Sequence, residues 1–319
     1  MTFVFYFSMF VFIFKHTVMK TFLSLLLFTL LSATLMAQTP VNLKLNLEKG
    51  KTYMVKNTSK QASQQSVAGQ SMVANVVENR VTSFKLIGQE NDVLELEVRF
   101  DTLATKISAA MYSKESSSAQ PGKDPVDRLQ YQKSLYPLKA KISTAGKFIS
   151  FTNLSEFKGK VMLFIDSLPD SKKDDAKKQA EMLLKESALR SLVEPLFAHL
   201  SDKPVNINDS WESSYMITQN DMNFLVFFTY TLKSIENGQA LLTGTSEMES
   251  MPSSNATVKM DQPIKGSSTF EGRVDLATGI LSTLTENNKL AGSVTVTNNG
   301  TEYKVDLKID GQSESKLMK

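Results

Sequence analysis

From residue 41 the chain alternates. Val41, Leu43, Leu45 and Leu47 take every second place against Asn42, Lys44, Asn46 and Glu48, the period of a strand with one buried face. Gly50 interrupts, and Thr52-Tyr53-Met54-Val55 opens another strand. After a polar tip at Val67-Ala68-Gly69-Gln70, Val76, Val77, Val81, Phe84 and Leu86 continue in strand. A turn at Gln89-Glu90-Asn91-Asp92 leads into Leu94, Leu96, Val98 and Phe100, which alternate with Glu95, Glu97 and Arg99. Such patterns predict antiparallel strands with one wet face. Residues 113–126, rich in Ser, Pro and Gly, read as a loop. Leu138–Ile142 and Phe148–Phe151 flank Ser143–Lys147 as a hairpin.

The period then lengthens. Phe157, Val161, Phe164, Ile165 and Leu168 recur at three or four, which predicts a helix capped at Ser155 and ended by Pro169. A second helix, capped at Asp170 or Ser171, runs through Ala176, Ala180, Leu183 or Leu184, Leu189, Leu192 and Leu196, and Pro195 splits it near Val193. Strand returns at Asn206–Trp211. Phe224 to Leu232 is dense in Phe, Val, Tyr and Leu, which predicts a strand covered on both faces. Asn237-Gly238 is a turn, Ala240–Thr243 a strand, and Asp275–Gly279 a turn before Ile280–Leu284. Asn298-Asn299-Gly300 between Val294–Thr297 and Thr301–Val305 is a hairpin signal.

Two stretches echo each other. FKLIGQENDVLELEVRF (84–100) matches YTLKSIENGQALLTGTS (230–246) in pattern, and LKAKISTAGKFIS (138–150) parallels FEGRVDLATGILS (270–282), with a Ser/Pro loop at Gln120–Gly122 in one half and at Pro252–Ser254 in the other. The expected fold is therefore mainly β with a minor helical segment. It is a large curved antiparallel sheet, an open barrel or paired sheets, built as a degenerate duplication. The organisation expected is 38–152 as a first β-half, 153–200 as a helical segment and 201–319 as a second β-half.

Residues 1–37 stand apart. Met19-Lys20, the apolar run Thr21–Leu31 and the exit Ser32-Ala33-Thr34 to Ala37 have the layout of a cleavable signal peptide, with Met19 read as the true start. The apolar core of about 11 residues is short for a span, which needs roughly 20. Export to the periplasm or medium is the expectation, with a soluble remainder. Losing Lys15 and Lys20 takes the 36 basic residues to 34 against 33 acidic ones, so the net +3 mostly belongs to the removed part. A near-neutral body argues against a nucleic-acid partner. Without cysteine, disulfides, thiolate metal sites and a lipidated N-terminal cysteine are excluded.

Chemistry-bearing residues are sparse. His199 is the single histidine after residue 37, and a helix-terminal structural role is expected over a lone general base. Asp209 and Glu212 flank Trp211, the one tryptophan. That is a sugar-hydrolase design in principle, but a buried Trp with Asp209 closing a turn is the simpler reading. Asp275 reads as a turn residue. Met216, Met222, Met248, Met251 and Met260 gather in the second half, as core filler or an adaptable apolar pocket rather than thioether copper ligands. No catalytic, cofactor or metal residue is assigned.

The segments LKLNLEKGKTY (43–53), LSDKPVNINDSWE (200–212) and VDLATGIL (274–281), after a signal ending Ala37-Gln38, resemble an uncharacterised family of secreted β-rich Gram-negative bacterial proteins, a domain of unknown function. Where that family has Gly before the Asp-Ser/Thr-Trp step, this chain has Asn208. The resemblance implies export and a β fold, and supplies no activity. The expected function is an exported, non-enzymatic protein that binds a lipid-like, apolar or amphiphilic ligand in a curved sheet, with 155–200 as lid. Alternatives are an envelope protein-interaction module using long edge strands, and a carboxylate-dependent hydrolase.

Overall fold

The period-two segments become strands of one sheet. The computed structural model describes residues 39–318 apart from 68–69, 111, 123, 220–221, 252–257, 261–262 and 299–300. The signal-like segment, the Ala68-Gly69 tip, the Pro252–Ser254 loop and the Asn299-Gly300 turn lie outside the described residues. Strands are β1 (Thr52–Val67), β2 (Gln70–Glu90), β3 (Val93–Ala109), β4 (Tyr112–Ser117), β5 (Leu138–Ser143), β6 (Phe148–Phe151), β7 (Ser210–Gln219), β8 (Met222–Glu236), β9 (Gln239–Ser250), β10 (Val258–Lys259), β11 (Lys265–Asp275), β12 (Leu281–Asn298) and β13 (Thr301–Met318). Their order is β6-β5-β3-β2-β1-β13-β12-β11-β9-β8-β7, with β4 on β3 and β10 on β12. The sheet is antiparallel, single and not closed into a barrel, so of the expected forms the curved open sheet is correct and paired sheets are not.

The duplication is legible in the register. Leu86 pairs with Leu96 and a bulge follows before Gly88; in the second half Leu232 pairs with Leu242 and a bulge follows before Ser234. Ala140 opposes Leu96 as Gly272 opposes Leu242. The β5–β6 hairpin shifts register at Lys141/Ile142 and β11–β12 at Arg273/Val274. Tyr53 stacks on Phe84 at 5.7 Å and 20°, and Trp211 stacks on Tyr230 at 5.7 Å and 20°. Left-handed backbone recurs too, at Asn91 and Asn237 and at Gly50 and Asn208. Asn tolerates that region better than other side-chain-bearing residues, which accounts for Asn208 at the glycine position. Strands β1–β6 and β7–β12 thus form two copies of one meander, and β13 joins the end of the second to the start of the first.

The sheet curls strongly. Arg80 on β2 and Tyr215 on β7 stand seven strand steps apart, about 34 Å if the sheet were flat, yet each lies within electrostatic reach of the other. Both face a common interior. At the end carrying the Asn91 and Asn237 turns, helices fill that interior. They are α1 (Pro125–Leu135), α2 (Leu154–Met162), α3 (Asp170–Leu183) and α4 (Glu186–Val193), with 3₁₀ turns at 163–167 and 194–196. Phe157, Val161, Leu189 and Phe197 from this layer join Phe84, Leu96, Phe100 and Leu232 from the sheet in one buried cluster. Truncating such a leucine to alanine costs about 2–5 kcal/mol.

Several expectations are corrected. β4 takes up part of the predicted 113–126 loop, and α1 begins within that loop and continues to Leu135. Asp124 accepts from the Val126 N–H at 2.8 Å and Pro125 opens the helix, a strong start signal. Residues 41–47 are extended but not a strand. Leu43, Leu45 and Leu47 are buried as the alternation requires, while hydrogen bonds to Val205, Thr144 and Thr278 are scattered over three segments. β8 is covered on one face only, with Phe224, Val226, Phe228 and Tyr230 inside and Phe227 52% exposed. The helical run breaks near Pro195 as expected and also at Leu184-Lys185.

Candidate functional site

The residues singled out from sequence are placed as follows. His199 is buried, and its Nε2 donates to the Gly279 carbonyl at 2.9 Å. Burial lowers its pKa to about 4, so the ring is neutral. The favourable helix-dipole interaction expected of a charged histidine is therefore replaced by a neutral hydrogen bond tying the 197–199 turn to the β11–β12 turn. Asp209 accepts from the Asn206 backbone N–H at 2.8 Å and from its Nδ2 at 3.0 Å, which closes a turn. Trp211 packs inward on Tyr230, and strand alternation turns Glu212 to the exposed side. Asp275 accepts from the Ala277 and Thr278 N–H groups at 2.8 and 3.1 Å, again a turn. Met248 lies on the inner face opposite Val226 and Gly266, Met251 is exposed, and the Met260 sulfur accepts from the Ser250 hydroxyl.

Asp209, Trp211 and Glu212 line a cleft of about 890 Å³ between β7 and the β5–β6 hairpin, where the sheet fails to close. Helix α4 spans this gap. Ser191 Oγ accepts from the Thr218 N–H on β7 at 2.8 Å, and the Arg190 guanidinium sits 5.0 Å over the Phe148 ring on β6. The charges here are partnered: Arg190 holds Glu194 through two contacts at 2.6 and 2.9 Å, and Lys147 meets Asp202 at 2.5 Å. The cleft is a structural seam whose Arg190, Glu194, Lys147 and Asp202 charges are paired, while the buried Trp211 Nε1–H has no partner among the described residues.

The far half of the sheet, toward the strand tips, differs. Its inner face carries Val76, Ile107, Leu290, Val294, Val305, Leu307 and Ile309, all only half-buried. At the rim, on the same face, Met72, Tyr112 and Tyr303 are 54%, 55% and 42% exposed. Below this apolar band lies a polar belt. Asn57 donates to Ser315 at 2.9 Å, Ser246 meets Ser268 at 2.7 Å, and Ser313 donates to Glu286 at 3.4 Å. Two cations join the belt. Arg80 precedes Thr82 and Phe84 on the inner face of β2, and desolvation holds its guanidinium below the ordinary value, offset by Glu78 and Tyr215. Lys133, one turn after buried Leu129 on α1, is 3% exposed. Its Nζ lies 5.5 Å over the Phe100 ring, and burial with Arg80 nearby lowers its pKa to about 8. Burial likewise raises the Tyr215 phenol well above its usual value.

Neither cation was singled out from sequence. Arg80 was readable by counting back in twos from Phe84. Lys133 needed the helix that the Asp124-Pro125 start announces.

Outward-facing residues of β13 are Glu302, Lys304, Asp306, Lys308, Asp310, Gln312, Glu314, Lys316 and Met318, all exposed and all but the last polar. A strand spanning a membrane as part of a barrel presents apolar residues outward, so the polarity here is the reverse. Among the described residues no helix is long and apolar enough to cross a membrane.

Residues 91–281 match the model of a family of unknown function (DUF6263). No curated protein matches the sequence. Solved structures that resemble the chain weakly include three bacterial proteins of the outer membrane or of export. One is a Bacteroides fragilis protein described as exported, with a YmcC-like fold (10% identity, 86% of this chain and 99% of that chain, TM-score 0.27). Another is an outer membrane channel of Pseudomonas putida (7%, 86% and 98%, 0.23). The third is the outer membrane protein OprG of Pseudomonas aeruginosa (7%, 84% and 97%, 0.21). Scores this low carry no argument about fold or function.

Proposed function

We propose that this chain, which belongs to that family of unknown function, is an exported, non-enzymatic binding protein that holds an amphiphilic ligand along the inner face of the far half of its sheet. Export rests on the signal layout of residues 19–37. The binding reading rests on one observation: the interior is packed with helices at one end, whereas at the other the same inward face carries half-covered apolar side chains on β2, β3, β12 and β13, with Gln61, Ser63 and Gln65 of β1 between them. Apolar surface left in water costs about 25 cal/mol per Å², and a lipid-like chain would remove that cost. The helical region is a fixed plug of the near end rather than a lid over the site.

Pairing with an envelope partner through long edge strands has little to draw on. The long strands β1, β2, β12 and β13 are interior to the sheet, β6 is a 4-residue edge, and β7 is covered by α4.

Trp211, stacked at the polar belt on Tyr230, is a built-in reporter. Titrating the full chain with a dansyl-labelled undecanoic acid should give saturable energy transfer from Trp211 at one equivalent, reversed by unlabelled lauric acid. Non-saturable transfer that lauric acid does not reverse would reject the reading.

A further inference from the structure

The interior contains a pair of cations that form no ion pair with any described residue. Lys133 is almost wholly buried and its ammonium makes no hydrogen bond or ion pair with any described residue; its Nζ lies over the Phe100 ring. Arg80, on the neighbouring strand and close enough for the two like charges to repel, has no hydrogen bond or ion pair among the described residues either. A buried cation without a partner is expensive, and a second, half-buried cation near it adds to that cost. Glu78 shares the inner face two residues from Arg80 and Glu286 faces in from β12, but Glu286 is held by Ser313 and neither carboxylate reaches ion-pair distance of the two cations. The apolar band begins directly above them: Val76 lies one inward position beyond Glu78, across from Ile107.

We propose that Arg80 and Lys133 form the head-group site for the ligand's anionic end, a carboxylate or phosphate, with its apolar chain running from there along Val76 and Ile107 toward the Met72–Tyr112 rim. This rests on the binding reading above and adds the ligand's charge and orientation. An anion supplies the missing partner for both cations, with Arg80 offering a two-pronged fork and Lys133 a point charge. Tyr215, whose phenol stays protonated, can donate a further hydrogen bond from β7.

The test is calorimetric titration of the full chain with four probes: dodecyl phosphate, lauric acid, the uncharged dodecyl maltoside below its micelle concentration, and inorganic phosphate. Each is repeated with Lys133→Met and Arg80→Gln. Both anionic amphiphiles should bind about tenfold or more tightly than the uncharged one. Each substitution should remove about that factor for the anionic probes and leave the uncharged probe unchanged. Equal affinity for charged and uncharged amphiphiles, indifferent to both substitutions, would overturn the head-group site and spare the binding reading. Inorganic phosphate binding as tightly as dodecyl phosphate would overturn the amphiphile and leave a small-anion site. Binding of no probe would overturn both. Lys133→Met removes a destabilising buried charge, so it keeps the test valid if the Arg80 variant fails to fold.

Discussion

His199 makes the protein acid-sensitive in a way that one substitution isolates. The imidazole is 1% exposed, its Nε2–H is donated to the Gly279 carbonyl, and its Nδ1 is buried with no partner among the described residues. Burial penalises the charged ring and lowers its pKa from 6.5 to about 4, and protonation would also place a second N–H where no described residue accepts it. The folded state keeps the ring neutral while the unfolded chain protonates it below about 6.5. Stability is therefore full above that pH and falls as pH drops toward 4. The difference of some 2.5 pH units corresponds to about 3 kcal/mol at 1.36 kcal/mol each. His199→Gln retains a donor near the Nε2 position and cannot titrate. Urea unfolding followed by Trp211 fluorescence at pH 7, 5.5 and 4 gives both stabilities, and carboxylate titration cancels in their difference. At pH 7 the native chain should be more stable by about 1 kcal/mol, and by pH 4 the order should reverse. A difference that stays constant across the range would refute the reasoning, and with it the account of how this turn is held.

Other positions give further outcomes. Lys133→Met should raise stability at pH 7 by about 2–3 kcal/mol and abolish the gain that the native chain shows between pH 8 and 10.5, where its folded lysine is already neutral and the unfolded one is not, measured by urea unfolding. Gly279→Ala should cost at least about 2 kcal/mol, because φ is +74° and a Cβ would meet the Lys44 carbonyl oxygen at 2.2 Å; a drop in Tm by calorimetry checks it. Ser191→Ala should leave the Thr218 N–H without its acceptor and raise its hydrogen-exchange rate, with little change at Phe228 deep in β8. Glu212→Gln, on the exposed side of β7, should change stability by less than about 0.5 kcal/mol.

Much of the architecture was legible because strands with one wet face write their period directly into the chain. The 84–100 and 230–246 echo was sufficient to anticipate a duplication, and the shared bulges at Leu86/Gly88 and Leu232/Ser234 show why the residues match there: both copies bend the sheet at the same place. Residues 41–47 alternate for the same reason but pair only at the Val41–Val205 bridge and otherwise bond to separate segments, so periodicity predicted their burial and not their hydrogen bonds. Phe224–Leu232 misled through composition, since Phe227 is apolar yet faces out at the unclosed seam. Helix α1 was lost to a serine-rich, proline-containing neighbourhood, although Asp124-Pro125 is a helix start.

The candidate site was harder to read. Which end of a long strand is covered by helices is a tertiary fact, and neither Arg80 nor Lys133 carries a local mark of being unpartnered. Residues conspicuous as chemistry, Asp209, Asp275 and His199, instead hold turns.

The central claim is that the far half of the inner face holds an amphiphile. Native mass spectrometry of the chain, exported in a Gram-negative host and purified without detergent, tests it most directly. The account predicts one non-covalent adduct per chain, extractable into organic solvent as an acidic, single-chain lipid-like species and depleted in the Lys133→Met variant. A clean apo mass, together with no saturable binding of dodecyl phosphate or lauric acid, would contradict it.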